Sequence, residues 1–186
     1  GASTALDDYP SGRSGFWSSG RLPFMATFNV TINNSTKQIS LIVVHGKATG
    51  DSISFLRRQY DSKALKDTLD KYYAKENIII LGDFNDRLMG SIYKKATESP
   101  YKNFVPSPDY SALTYALDSA GKTSYLSGES LIDHMITTST MKQYYIDNSV
   151  SIEPANTYIN SAYDENTASN HFPVSARFDF LPLKPL

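Results

Sequence analysis

Four short stretches of this sequence carry residue types that can move protons or hold charge, and each lies at the edge of an apolar run. His45 follows "LIVV", the Asp83 to Asp86 cluster follows "IIIL", Asp133 and His134 follow "SLI", and Asn170 and His171 precede "FPV". An imidazole has an ordinary pKa near ~6.5 and exchanges a proton near neutrality; a carboxylate behind it fixes the tautomer and raises its basicity. Aspartate oxygens suit a hard cation, and an asparagine amide can donate to a phosphate oxygen without repelling it. The bland alternatives are equally definite. A lone histidine at a strand end is commonly a surface or capping residue, and Gly, Asp and Asn in "GDFND" favour turns in any case. Asp86 reads as structural. His134 faces away from Asp133 on an alternating strand and reads as packing or partner contact.

The elements that must position these groups are legible in outline. "FMATFNVTI" and "QISLIVVHG" are strand-like runs parted by "NNSTK", which predicts a hairpin ending at His45. From Asp51 to Lys75, Ile53, Leu56, Tyr60, Leu65, Leu69 and Tyr72 recur at the spacing of one apolar helix face, with Asp51 or Ser52 as its cap. "NIIILGDFND" reads as a strand delivering a polar loop and "PDYSALTYALDSAG" as a helix closed by Gly121; "ESLIDHMIT", "SVSIEP" and "HFPVSARFDF" read as further strands. The class is α/β with a largely antiparallel sheet. "LIVV" and "IIIL" do not alternate, so both faces of these strands should be covered. One long helix covers one face; the other calls for a further layer.

Composition bounds the rest. With 186 residues, 40% of them hydrophobic, one domain is expected. The 18 basic and 19 acidic side chains nearly cancel to a formal net charge of −1, so no bulk attraction to nucleic acid or an anionic membrane follows, and a phosphate substrate would need local positive charge or a metal. Cysteine is absent, which removes disulfides, thiolate catalysis and Cys-based zinc sites. No run is long enough to span a membrane, and residues 1–20 lack the apolar core of a signal peptide and read as irregular lead-in. Gly1 in place of Met points to a trimmed start; a secreted or periplasmic location is the guess.

Taken together, "VVHGKA", "LGDFND", "LIDHMI" and "SNHFPV", in this order, with "GRLPF" ahead of them, resemble the endonuclease/exonuclease/phosphatase superfamily over residues 20 to 178. His45 points to the deoxyribonuclease and sphingomyelinase-like branch, since the abasic-site branch lacks a histidine there. The resemblance implies a four-layer α/β/β/α sandwich, with residues 21–182 forming its C-terminal part, and a phosphoesterase that uses Mg²⁺ or Mn²⁺. It implies that His45 donates to the phosphate or the leaving oxygen, that Asp83 orients the attacking water and holds metal, that Asn85 holds a phosphate oxygen, and that Asp133 backs His171 as the general base. Arg21 and Lys47, with Asn85, fall at substrate-binding positions.

Two departures accompany the resemblance. Asn170 stands where the family has a metal-binding aspartate, so it is a weakened ligand. The family's earlier strands, with an Asn and a metal-binding Glu, have no counterpart in residues 1–20, so the missing layer is expected to come from N-terminal chain or from a second copy in a homodimer. The substrate is a phosphate ester: nucleic acid, nucleotide, lipid head group or sugar phosphate, selected by loops 9–20, 88–108 and 154–168, with Arg13, Phe16 and Trp17 either facing it or merely mobile. A non-catalytic phosphate-binding module, or a fragment inert without its N-terminal part, is the alternative.

Overall fold

The two unalternating runs become adjacent parallel strands at the centre of a five-stranded sheet. A computed structural model describes residues 16–153 and 169–180; Arg13 and loop 154–168 lie outside them. Strands β1 (Phe24–Ile32), β2 (Ser35–His45), β3 (Ile78–Asp83), β4 (Tyr110–Ala112) and β5 (Asp133–Thr138) take the order β1-β2-β3-β5-β4. Only β2 and β3 run parallel; the other pairs are antiparallel. Strands β6 (Ser151–Ile152) and β7 (Val174–Ser175) form a separate antiparallel pair. The β1–β2 turn is tighter than "NNSTK" implies. Asn33 and Asn34 alone make it, at φ 50° and 63°, the left-handed pair that matches the twist of a two-residue hairpin.

The crossover from β2 to β3 is a helix, Ser52–Tyr72, capped by Asp51, whose carboxylate accepts the Ser54 N–H at 2.9 Å. Its buried face differs from the apolar stripe read in the sequence. Ile53, Leu56 and Tyr72 are 66%, 60% and 64% exposed, while Ser54, Arg58, Asp61, Ser62 and Leu69 are buried. The helix is rotated so that Leu65 and Leu69 meet the core and Arg58 reaches under the site. The segment read as a helix over 108–121 is divided, with β4 pairing to β5 before a short helix, Tyr115–Ser119.

One sheet face packs Ile42, Val44, Ile78, Ile80 and Ile136 against Leu69, Phe84, Leu88, Tyr101 and Phe104. The other buries Ile39 and Ile79 under Met141, with Tyr144, Phe178 and Phe180 packed alongside. That cover is partial: Phe24, Phe28, Ile32 and Val43 remain 67%, 47%, 39% and 44% exposed.

Beneath the site lies a wholly buried ion pair. Arg58 Nε donates to Asp86 Oδ2 at 2.9 Å, and Arg58 Nη1 donates to the carbonyls of Lys47 and Thr49 at 2.5 and 2.9 Å. The Asp86 carbonyl accepts His134 Nε2 at 3.0 Å, and Thr114 lies 2.9 Å from Nδ1. His134 is therefore a neutral packing residue, its ring edge-on to Phe84. Burial lowers its pKa from 6.5 to about 4. The unfolded chain takes up this proton first. The stability tied to neutral His134 is thus complete above about pH 6.5 and lost as pH falls towards 4. Denaturant unfolding followed across that window should show a loss on the order of 3 kcal/mol, from the conversion of pKa shift into free energy, and His134→Gln should flatten the slope.

Candidate active site

Register brings three of the predicted residues into one row. His45 pairs with Asp83 across the parallel β2–β3 ladder, and Asp83 pairs with Asp133 across β3–β5. The strands carrying this row approach closely, and glycine makes that possible at two points. A Cβ on Gly82, at φ +131°, would lie 2.2 Å from the Val44 carbonyl oxygen, and one on Gly46 would lie 2.2 Å from that of Phe84. These are the glycines of "HG" and "GD", so they serve the placement of His45 and Asp83.

His171 arrives from the far end of the chain and completes the row. Its Nδ1 donates to Asp133 Oδ2 at 2.7 Å, which leaves Nε2 as the basic nitrogen. Both side chains are partly screened, at 26% and 18% exposure. Backbone pairing holds the histidine there: Phe172 N–H donates to the Ser124 carbonyl at 2.8 Å and Leu126 N–H to the Asn170 carbonyl at 2.9 Å. The Tyr125 ring packs 5.0 Å from the imidazole.

Asp83 is held by its own loop. Asn85 N–H donates to Oδ1 at 2.7 Å and Asn85 Nδ2 to Oδ2 at 2.8 Å, made possible by a left-handed backbone at Asn85, φ 51°. Burial pushes the Asp83 carboxyl above its ordinary value; the Asn85 N–H works against this and the neighbouring Asp133 charge adds to it. Asn85 Nδ2 also donates to the Gly46 carbonyl at 3.1 Å. Both amide hydrogens are thereby engaged, so holding a phosphate oxygen would require one of them to be released.

Arg21 lies against His45, its Nη1 3.0 Å from Nε2, and it also donates to the Ser18 and Gly46 carbonyls at 3.1 and 3.4 Å. His45 Nε2 is 3.6 Å from Asp83 Oδ2. An open cleft of about 650 Å³ is lined by His45, Asp83, Asn85, Asn170 and His171 together. Lys47 is not among the residues lining that cleft, and it is its carbonyl that the structure uses. Arg87, Lys94 and Tyr125 line the cleft and were not singled out by the sequence. Arg87 could have been found as the next residue of "GDFNDR"; it is fixed by buried Asp118, which accepts its Nε at 2.8 Å. Nothing in the pattern marks Lys94 or Tyr125.

Among the described residues, no three or more His, Asp or Glu side chains converge to hold a metal ion. Asp83 already receives two donors from Asn85, and Asn170 brings no charge. These residues by themselves do not fit a divalent cation.

No family model matches the sequence, and no curated protein matches it. Solved structures do. A mannosyl-6-phosphatase from Bacteroides thetaiotaomicron aligns with TM-score 0.55 and 16% identity, over 85% of this chain and 57% of that one. A 3'-5' exonuclease from Neisseria meningitidis aligns with TM-score 0.52 and 16% identity, over 86% of this chain and 72% of that one. An endonuclease/exonuclease/phosphatase protein from Beutenbergia cavernae aligns with TM-score 0.52 and 10% identity, over 84% and 40%. The chain spans a little over half the length, 53% to 57%, of several such structures. The sheet order and the helical crossover thus belong to a chain with the endonuclease/exonuclease/phosphatase fold.

Proposed function

We propose that this chain carries the proton-handling side of a phosphoesterase site. The observation that supports it most is the His171–Asp133 pair, bonded at 2.7 Å, with His171 opening on the same cleft as Asp83, Asn85 and His45. In this reading a water between His171 and Asp83 gives a proton to His171 Nε2, and its oxygen attacks phosphorus. The bond from phosphorus to the leaving oxygen breaks, and that oxygen takes a proton, with a protonated His45, its ring turned from Arg21, as the donor at the opposite side of the row. Asp133 keeps the imidazole oriented and offsets the charge it gains. The similar mannosyl-6-phosphatase and 3'-5' exonuclease are a phosphatase and an exonuclease, which favours a phosphate ester over other substrates.

Mg²⁺ or Mn²⁺ would neutralise phosphate charge in such a reaction. Asp83 and Asn170 are the oxygens this chain could contribute, and further ligands would have to come from beyond the described residues. The neutral Asn170 and the thin donor set favour one second reading, a phosphate-binding module without turnover.

Three outcomes test these proposals. His171→Ala should reduce hydrolysis of bis(p-nitrophenyl) phosphate on the order of 100-fold or more with the melting curve unchanged, and Asp133→Asn should cost less, because the base survives. Retained activity in His171→Ala would remove it from the mechanism. Asn170→Asp should tighten Mg²⁺ binding measured by titration calorimetry, since ligand charge governs affinity for hard cations; an unchanged or weaker dissociation constant would displace the metal from this position. Finally, exposed Phe24, Phe28, Ile32 and Val43 support association through the uncovered sheet face. Light scattering on residues 1–186 should report a dimer or larger species, and a monomer with a cooperative melt would refute it.

A further inference from the structure

We propose that Ser124 is the positioning residue of the Asp133–His171 pair, an inference that rests on the reading of that pair as the proton-handling unit. Ser124 is wholly buried, and its hydroxyl oxygen accepts the Ile132 and Asp133 N–H groups, each at 3.2 Å. Its hydrogen goes to Asp133 Oδ2 at 2.6 Å. This is the same carboxylate oxygen that accepts His171 Nδ1 at 2.7 Å. Two donors on one oxygen, one of them anchored to the backbone of the strand that carries the acid, fix the carboxylate's rotation with that oxygen towards the imidazole. Hydrogen bonds to a charged acceptor are the strong class, and outer partners of this kind set both orientation and basicity of the group in front of them.

The main chain of the same residue holds the other partner. The Ser124 carbonyl accepts Phe172 N–H at 2.8 Å, and the following residues continue the pairing, with Tyr125 bridged to His171 and Leu126 N–H bonded to the Asn170 carbonyl at 2.9 Å. One residue thus grips the acid through its side chain and the histidine's strand through its backbone. A buried serine that merely satisfies its own hydroxyl would need neither contact. Removing Oγ deletes the grip on Asp133 together with the acceptor of the Ile132 and Asp133 N–H groups and leaves the backbone pairing to 170–172 in place, so the hydroxyl-retaining Ser124→Thr separates the grip from folding.

The test compares Ser124→Ala and Ser124→Thr in the full chain by two measurements. Steady-state hydrolysis of bis(p-nitrophenyl) phosphate should show kcat lowered about tenfold in Ser124→Ala with KM unchanged, the usual scale for losing such an outer partner. Proton NMR should show a far-downfield His171 Nδ1–H resonance in the parent chain, lost or broadened in Ser124→Ala. Ser124→Thr keeps the hydroxyl and should restore both. If Ser124→Ala keeps the resonance and the kcat, or if Ser124→Thr fails as Ser124→Ala does, the proposal is overturned. If the resonance follows the hydroxyl while no form of the chain hydrolyses the ester, Ser124 keeps its role and the phosphoesterase reading falls instead.

Discussion

The buried pairing of Arg58 with Asp86 is the interaction on which the site depends. Both side chains are fully excluded from water, yet between them they reach the segments that follow His45 and Asp83 and the strand that carries Asp133. Arg58 comes from the crossover helix and fixes the carbonyls of Lys47 and Thr49, just beyond His45. Asp86 accepts the N–H groups of Arg87 and Ile92, shaping the loop after Asp83, and its carbonyl meets His134, whose neighbour in β5 is Asp133. Two charges taken out of water cost several kcal/mol each unless their remaining hydrogen-bonding groups are satisfied. Here the satisfying groups are the backbone of the site loops, so the desolvation is offset only when those loops are in place. Placement of the loops and burial of the pair are one event.

That constraint explains why the helix face departs from its sequence pattern. A 3.6-residue repeat identifies which residues could be apolar neighbours, and Ile53, Leu56 and Tyr72 satisfy it as well as Leu65 and Leu69 do. It carries no information about a charge 28 positions downstream. Aligning Arg58 with Asp86 sets the helix's rotation, and Ile53 and Leu56, out of phase with Arg58, are left at the surface, while Tyr72 is exposed at the helix's last residue. Strand ends were easier to read. The runs "LIVV" and "IIIL" are central because both faces are apolar, and the first polar residue after each run had to be His45 and Asp83. β4 was obscured because Tyr110, Leu113 and Leu117 fall at helix-like spacing although three residues of that segment pair with β5.

The site divides along the same line. His45, Asp83 and Asp133 were legible because strands deliver them, and His171 because it opens an apolar segment. The groups that hold them were not. Ser124 and Tyr125 lie in "KTSYLSGES", whose composition reads as loop, and their importance arises from an antiparallel match to residues 170–172 that only the folded chain reveals. Long-range pairing of two irregular segments leaves no periodic trace in either.

The two faces of the sheet carry different degrees of completion, and the row of His45, Asp83 and Asp133 lies between them. On the helix side, packing reaches the row itself: Phe84 is buried beside Asp83 and braced by Tyr101 and His134. On the opposite side, Leu81 and Met135 flank the row only half covered, and the sheet beyond them exposes Phe24, Phe28 and Val43. The row is thus closely packed on its helix side and open on the other. Asp83 and Asp133 put carboxylates on the row, and Arg21, Arg87 and Lys94 stand around it rather than on it. The exposed sheet face and the cleft are lined by different residues, so covering the one leaves the other open.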